Sequence, residues 1–71
     1  MAITRTRRKL GRRITMLRER KGWTQQELAD RADMHQTYLC GVENGRRNST
    51  VDVLDRLAEA LGKEVGDLFK A

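Results

Sequence analysis

The chain has 71 residues, of which 35% are charged, and its net charge is +5. With one cysteine and one histidine, an internal disulfide is excluded and a zinc site nearly so, and no apolar run approaches the roughly 20 residues that span a membrane. The N-terminal residues are basic but lack the apolar segment and the small-residue cleavage site that are typical of a secretory signal. The sequence therefore predicts a small cytoplasmic protein with neither metal nor cofactor, whose basic charge favours an anionic partner.

Positive charge is concentrated at the N-terminus, and acidic residues begin only at Glu19. Residues 1–7 show no hydrophobic periodicity, which predicts a basic, flexible arm ahead of a folded domain over residues 8–71. Two interpretations of the arm stay open: a solvated tail, or a segment that contacts phosphates. The cations of the first 13 residues are Arg5, Arg7, Arg8, Lys9, Arg12 and Arg13.

Hydrophobic spacing predicts two helices before residue 33. The first carries Leu10, Ile14 and Leu17 on one face and ends at Gly22. The second begins with T-Q-Q-E at residues 24–27, a capping box in which Thr and Glu cap each other. Asp33 then stands where the chain must turn sharply, and Asp tolerates the left-handed conformation better than most residues.

A third helix is predicted over residues 35–44 and is stopped by Gly45. At about 100° per residue, Leu39 and Val42 face inward. The outward side is small and polar, and its best hydrogen-bonding groups lie at the N-terminal end. This side carries Thr37, Cys40, Gly41 and Asn44, flanked by Gln36 and Tyr38.

Residues 45–50 form a predicted loop, in which Ser49 or Thr50 caps the next helix. A fourth helix with a long apolar stripe and a short fifth helix near residues 65–69 complete an all-α, five-helix domain. The stripe consists of Val51, Leu54, Leu57, Ala58 and Leu61.

Two helices joined by a turn of a few residues indicate a helix-turn-helix, whose second helix meets base edges in the DNA major groove. The segments TQQELADRA, TYL, VENG and ALG with a following LF resemble the Cro and phage-repressor (XRE-like) helix-turn-helix family, over roughly residues 10–70. QTYLCGVENGRRN is similar in particular to the controller proteins of restriction–modification systems. The resemblance implies a λ-repressor-like, sequence-specific transcriptional regulator that binds palindromic operators in double-stranded DNA as a homodimer, with RNA polymerase as a further partner.

The resemblance also implies roles for the matched residues. Gln25 would bind a phosphate and brace Gln36. Gln36 and Thr37 would face bases, with Tyr38 against backbone or base. Arg47 would reach the DNA from the loop, together with its neighbour Asn48. The full predicted DNA-binding set is Gln25, Gln36, Thr37, Tyr38, Cys40, Asn44, Arg46, Arg47 and Asn48.

Simpler interpretations stand beside these roles: an ordinary polar surface for the third helix, a solvated loop for Arg47, and a small residue that merely fits for Cys40. The family resemblance also makes Arg18 and Glu43 a buried ion pair that joins the first and third helices. As surface charges the two would matter little.

The sequence departs from the family pattern at four positions. Asp33 replaces the usual turn Gly, and His35 stands where an Asp or Ser cap is common. Gln36 replaces the Arg frequent in controller proteins, which predicts a different operator. Gly41 removes a side chain that phage repressors use on bases, so we expect base contacts to be concentrated at Gln36 and Thr37.

A homodimer needs an interface, and apolar residues beyond the core stripe are the candidates. Some of them must fill the core of so small a domain. No catalytic set is visible, so the sequence predicts no enzyme. The alternative functions are a phage-type repressor and an antitoxin-like protein-interaction module, although no extra partner-binding segment is visible. The predicted interface residues are Val53, Leu57, Ala60, Val65 and Leu68.

Overall fold

The computed structural model describes residues 4–70 of the chain. These residues form four α-helices and one short 3-10 helix, joined by turns and a loop. This confirms the predicted all-α class, and the predicted fifth helix is the 3-10 helix. None of these helices is long and apolar enough to cross a membrane. The elements are α1 (Arg5–Arg20), α2 (Gln25–Arg31), α3 (Gln36–Glu43), α4 (Val51–Leu61) and the 3-10 helix (Val65–Phe69).

Threonine side chains cap the N-termini of three helices. Thr4 accepts a hydrogen bond from the backbone of α1, and Thr50 accepts one from the backbone of α4, at 3.1 and 3.2 Å. Thr24 and Glu27 form the predicted reciprocal capping box at 3.1 and 2.9 Å. Because Thr4 caps it, α1 begins at Arg5, inside the segment predicted as an arm, and residues 1–3 of that segment lie outside the described residues.

The turn between α2 and α3 is built as the sequence predicts. Asp33 has a φ of 56°, in the left-handed region. The next backbone N–H, that of Met34, donates to the carbonyl of Ala29 at 2.9 Å, which closes α2 with a Schellman motif. Arg56 of α4 donates from Nη1 to the Asp33 carbonyl at 2.7 Å, so α4 holds the turn in place.

One apolar core receives side chains from all five elements. α1 packs on α3 and on the 3-10 helix, while α2 packs on α3 and α4. Fully burying one Leu or Ile side chain contributes about 1.5–3 kcal/mol, so these few residues dominate the stability of the domain. The core consists of Leu10, Ile14, Leu17, Leu28, Ala29, Ala32, Leu39, Val42, Val53, Leu54, Leu57, Ala58, Leu61 and Leu68.

Three residues predicted for the dimer interface belong to this core, and two of them are fully buried. Leu57 and Leu68 are both 0% exposed within one chain, so neither is available to a partner and the prediction is wrong for them. Val53 is 8% exposed and also contributes to the core, whereas Ala60 and Val65 remain half-buried. The reason is the packing of the 3-10 helix against α1 and α4, which turns Leu68 inward to close that end of the core.

Candidate nucleic-acid interface

The exposed side of α3 is the part of the helix-turn-helix that a duplex can reach. Leu39, Val42 and Glu43 are buried, which fixes the inward side of the helix. Gln36 and Thr37 are exposed at its first turn, as predicted. His35 occupies the N-cap position without a side-chain hydrogen bond to the helix, so first-turn N–H groups lack a side-chain cap. The helix thus presents polar donors at its N-terminal end, where an anionic partner is favoured.

The ion pair predicted behind α3 forms with good geometry. Arg18 Nε donates to Glu43 Oε2 at 2.8 Å and Arg18 Nη2 to Oε1 at 3.1 Å. The side chains are only 12% and 4% exposed, so this bidentate pair lies largely out of water. Arg18 also donates from Nη1 to the Trp23 carbonyl at 2.8 Å. The hydrogen bond to Glu43 raises the pKa of the Arg18 guanidinium above its ordinary value, so the group remains charged.

Gln25 takes part in the same network, a contact that the sequence analysis missed. Its Nε2 donates to Glu43 Oε1 at 3.0 Å. Among the described residues it makes no hydrogen bond to Gln36, so the predicted brace between the two glutamines is absent. A buried carboxylate needs donors for its remaining lone pairs, which explains why the amide turns toward Glu43. One carboxylate therefore joins α1, α2 and α3.

The two edges of the exposed side differ in charge. The Gln36 edge borders an open hollow that contains the carboxylates Asp30 and Asp33, and Asp30 Oδ1 accepts from Gln26 Nε2 at 2.8 Å. The opposite edge carries Arg47. Phosphates are therefore favoured on the Arg47 edge, while the Gln36 amide is left to neutral donors and acceptors such as base edges.

The loop after α3 is fastened to that Arg47 edge. The hydroxyl of Tyr38 donates to the backbone carbonyl of Asn48 at 2.8 Å. The Arg47 guanidinium lies over the Tyr38 ring, with Cζ 5.4 Å from the ring centroid, within the range of a cation–π contact. Tyr38 is half-buried, so in this structure it serves as a support for the loop. The sequence gives no signal for this contact, because its acceptor is a backbone carbonyl.

The remaining predicted DNA-binding residues lie toward the C-terminal end of α3. Cys40 is half-buried, and its Sγ accepts a hydrogen bond from Asn44 Nδ2 at 3.3 Å. Asn44 and Arg46 are exposed. The structure therefore brings the predicted set to one side of α3 and its following loop, except for Gln25, whose amide lies against the buried carboxylate.

Three basic residues near the start of α1 lie away from α3. Gly11 marks the side of α1 that packs on α3, since a Cβ there would collide with backbone carbonyls at the end of α3. At about 100° per residue, Arg5, Lys9 and Arg12 project from the opposite side of α1. Contact between these cations and phosphates stays a prediction.

Comparison with known proteins identifies the architecture. The sequence pattern of a helix-turn-helix family matches residues 14–68 of this chain. The competence pilus inhibition repressor of Acinetobacter baylyi is 37% identical over 60 residues, which cover 84% of this chain and 54% of that protein. This chain thus spans about half the length of that relative. Control protein C.BamHI of Bacillus amyloliquefaciens is 32% identical over 60 residues, 83% of this chain and 74% of that one.

A solved structure extends the likeness to the fold. The crystal structure of the restriction-modification controller protein C.AhdI from Aeromonas hydrophila superposes with a TM-score of 0.87 at 38% identity, covering 89% of this chain and 96% of that one. The matched residues include both helices of the motif, the turn and the loop that follows. On these grounds the chain belongs to the helix-turn-helix family of DNA-binding transcriptional regulators.

Proposed function

We propose that the protein binds palindromic operators as a homodimer and acts as the controller of a restriction–modification system. One observation carries this proposal. The exposed side of α3 presents Gln36 and Thr37 at its first turn and Arg47 on the opposite edge, on a helix whose buried side is fixed by an ion pair. Such a rigid helix, with amide and hydroxyl groups at its start, suits contact with base edges in the major groove.

The controller role rests on likeness to two controller proteins. This chain is 38% identical to the controller protein from Aeromonas hydrophila and 32% identical to control protein C.BamHI. A regulator that occupies an operator acts by blocking RNA polymerase, by recruiting it, or by each at a different site. We therefore propose RNA polymerase as the partner that reads out operator occupancy.

Selection of bound sites from random duplex DNA tests the DNA-binding part of the proposal. We expect a palindrome whose half-sites lie about one helical turn apart, since one short helix contacts only a few base pairs. A reporter fused to the selected site then measures the direction of regulation. Failure to enrich any site, or enrichment of one unpaired half-site, would contradict the proposal.

The dimer interface that we propose lies along one edge of α4. Val51 was predicted to lie in the core stripe of α4, but it is 72% exposed, the most exposed large apolar side chain that the structure describes, so that prediction is wrong. At about 100° per residue Val51 shares an edge of α4 with Ala58. Ala58 is only 3% exposed, but it lines a surface groove with Val65 at the far end of the helix, and the rim of that groove is charged. The charged residues of the rim are Asp55, Glu59, Lys63 and Glu64. Val65 thus remains an interface candidate, and Val51 takes the place of the buried Leu57 and Leu68.

Charge placed in this edge should separate the subunits. Val51→Asp stands at the first position of α4, where an acidic side chain favours the helix, so the fold should persist. We expect this variant, and Val65→Asp, to sediment as monomers at concentrations where wild type is dimeric, and to bind a full palindrome weakly. Asn44→Asp, with the same charge change at the exposed residue that follows α3, is the control for sedimentation. A dimeric Val51→Asp variant would place the interface elsewhere.

A further inference from the structure

Arg47 lies directly over Gly41 on the outside of α3. A Cβ added to Gly41 would be 2.5 Å from Arg47 Cγ and 3.3 Å from Cδ, so the aliphatic stem of the arginine occupies the place of the missing side chain. The backbone follows the same path, because the N–H groups of Arg46 and Arg47 approach the Gly41 carbonyl at 2.8 and 3.3 Å. The loop thus doubles back over the end of α3.

The guanidinium then continues toward the N-terminal end of the helix. Tyr38 lies three residues before Gly41, on the same edge of α3, and its ring lies beneath Arg47 Cζ at 5.4 Å. The Tyr38 hydroxyl holds the Asn48 carbonyl at 2.8 Å, which fixes the loop immediately after the arginine. Stem, guanidinium and loop backbone are therefore each supported by α3 before any DNA is present.

We infer that Gly41 is a positioning residue for DNA binding: its missing side chain creates the seat that presents Arg47 on the exposed side of α3. This inference rests on the proposed operator binding. It modifies the expectation that base contacts are concentrated at Gln36 and Thr37, because the side chain of Arg47 covers the gap left by the glycine. A side chain held in its bound position loses less conformational entropy when the complex forms, which increases affinity.

A double-mutant cycle on the selected operator tests this inference. Gly41→Ala should weaken binding roughly 2- to 12-fold, the loss corresponding to about 0.5–1.5 kcal/mol for a side chain that must be ordered on binding. In an Arg47→Ala background the same Gly41→Ala change should not weaken binding further, because the arginine side chain that Gly41 positions is already absent. Gly66→Ala is the control, since a Cβ at that position meets no atom within 4 Å.

Thermal stability separates positioning from damage to the fold. Alanine is the better helix former by about 1 kcal/mol in a helix interior, so Gly41→Ala should melt no lower than wild type even though it binds more weakly. If the displaced guanidinium loses a phosphate contact, the salt dependence of binding should also become shallower, and we expect the same change for Arg47→Ala.

Two results would overturn the inference: wild-type affinity for the Gly41→Ala variant, or an equal loss from Gly41→Ala whether or not Arg47 is present. Both differ from failure of the proposed function, in which wild type itself enriches no site from random duplexes.

Discussion

The buried and exposed sides of α3 are held by different kinds of contact. On the buried side, Glu43 accepts hydrogen bonds from Arg18 and Gln25, away from water. On the exposed side, Tyr38 and Arg47 are held by one hydrogen bond to a loop and one cation–π contact near solvent. Charge-assisted bonds out of water are strong, and breaking them leaves a buried charge, whereas solvent-exposed contacts contribute little. Stability and DNA recognition can therefore be changed independently in this helix.

The largest effect should come from the buried side. Glu43→Ala leaves the Arg18 guanidinium, with a side chain only 12% exposed, without its partner. We expect a loss of about 3–5 kcal/mol in the free energy of unfolding, which is a large fraction of the stability of a small domain. Denaturant unfolding followed by circular dichroism measures it, with exposed Glu59→Ala as the control.

Replacement of both charged residues sharpens the same test. A double variant with Arg18→Met and Glu43→Leu should recover much of the lost stability, because no unpaired charge remains.

The pKa of Arg18 is raised, so its contribution to stability is fully present below the pKa of unfolded arginine. That contribution is lost only as the pH rises through the folded value, and it should not vary near neutral pH. A melting temperature of Glu43→Ala within about 2 °C of wild type would show that the pair contributes little.

A middle-sized effect should come from the exposed side and should appear only in binding. Gln36→Ala should cost about 1–3 kcal/mol on the preferred operator and relax the preference at one base position in each half-site, because a glutamine amide pairs bidentately with adenine. Stability should stay unchanged, since Gln36 is exposed. Competition binding against operators with single base changes measures it. Gln26→Ala, the same truncation on α2, should leave the ranking of bases intact.

The smallest effect should come from the loop contact. Tyr38→Phe removes the hydrogen bond to the Asn48 carbonyl but keeps the ring under Arg47, so we expect a loss of about 0.5–1.5 kcal/mol in stability. Thermal unfolding of Tyr38→Phe measures this loss of stability, with wild type and Glu43→Ala unfolded under the same conditions for comparison. If Tyr38→Phe destabilises the protein as much as Glu43→Ala, the two sides of α3 do not differ as proposed.

Much of the fold was predictable because its signals are local in sequence. The spacing of Leu10, Ile14 and Leu17, the capping box at residues 24–27 and the left-handed turn at Asp33 each depend on a few neighbouring residues. The buried ion pair was predicted through the family resemblance.

Contacts between distant segments were not predictable in the same way. Periodicity fixes which residues share a side of one element but not which neighbour that side meets, so Leu68 was assigned to a partner when it fills the core. Gln25 reaches a carboxylate 18 residues away, and Tyr38 bonds to a backbone carbonyl that any residue would provide. At Gly41 the sequence reveals only that a side chain is missing, and it does not reveal that Arg47 covers this position.

Two glycines show where this fold tolerates mutation. Gly11 stands inside α1, although glycine destabilises a helix interior by about 1 kcal/mol relative to alanine. Any side chain there would strike the backbone carbonyls of Val42 and Glu43 and force α1 away from α3. Gly66 has open space around it. In a library of all single substitutions, we therefore expect Gly11 to be nearly invariant among functional clones and Gly66 to accept many residues, because the separation of α1 and α3 leaves no room for a β-carbon.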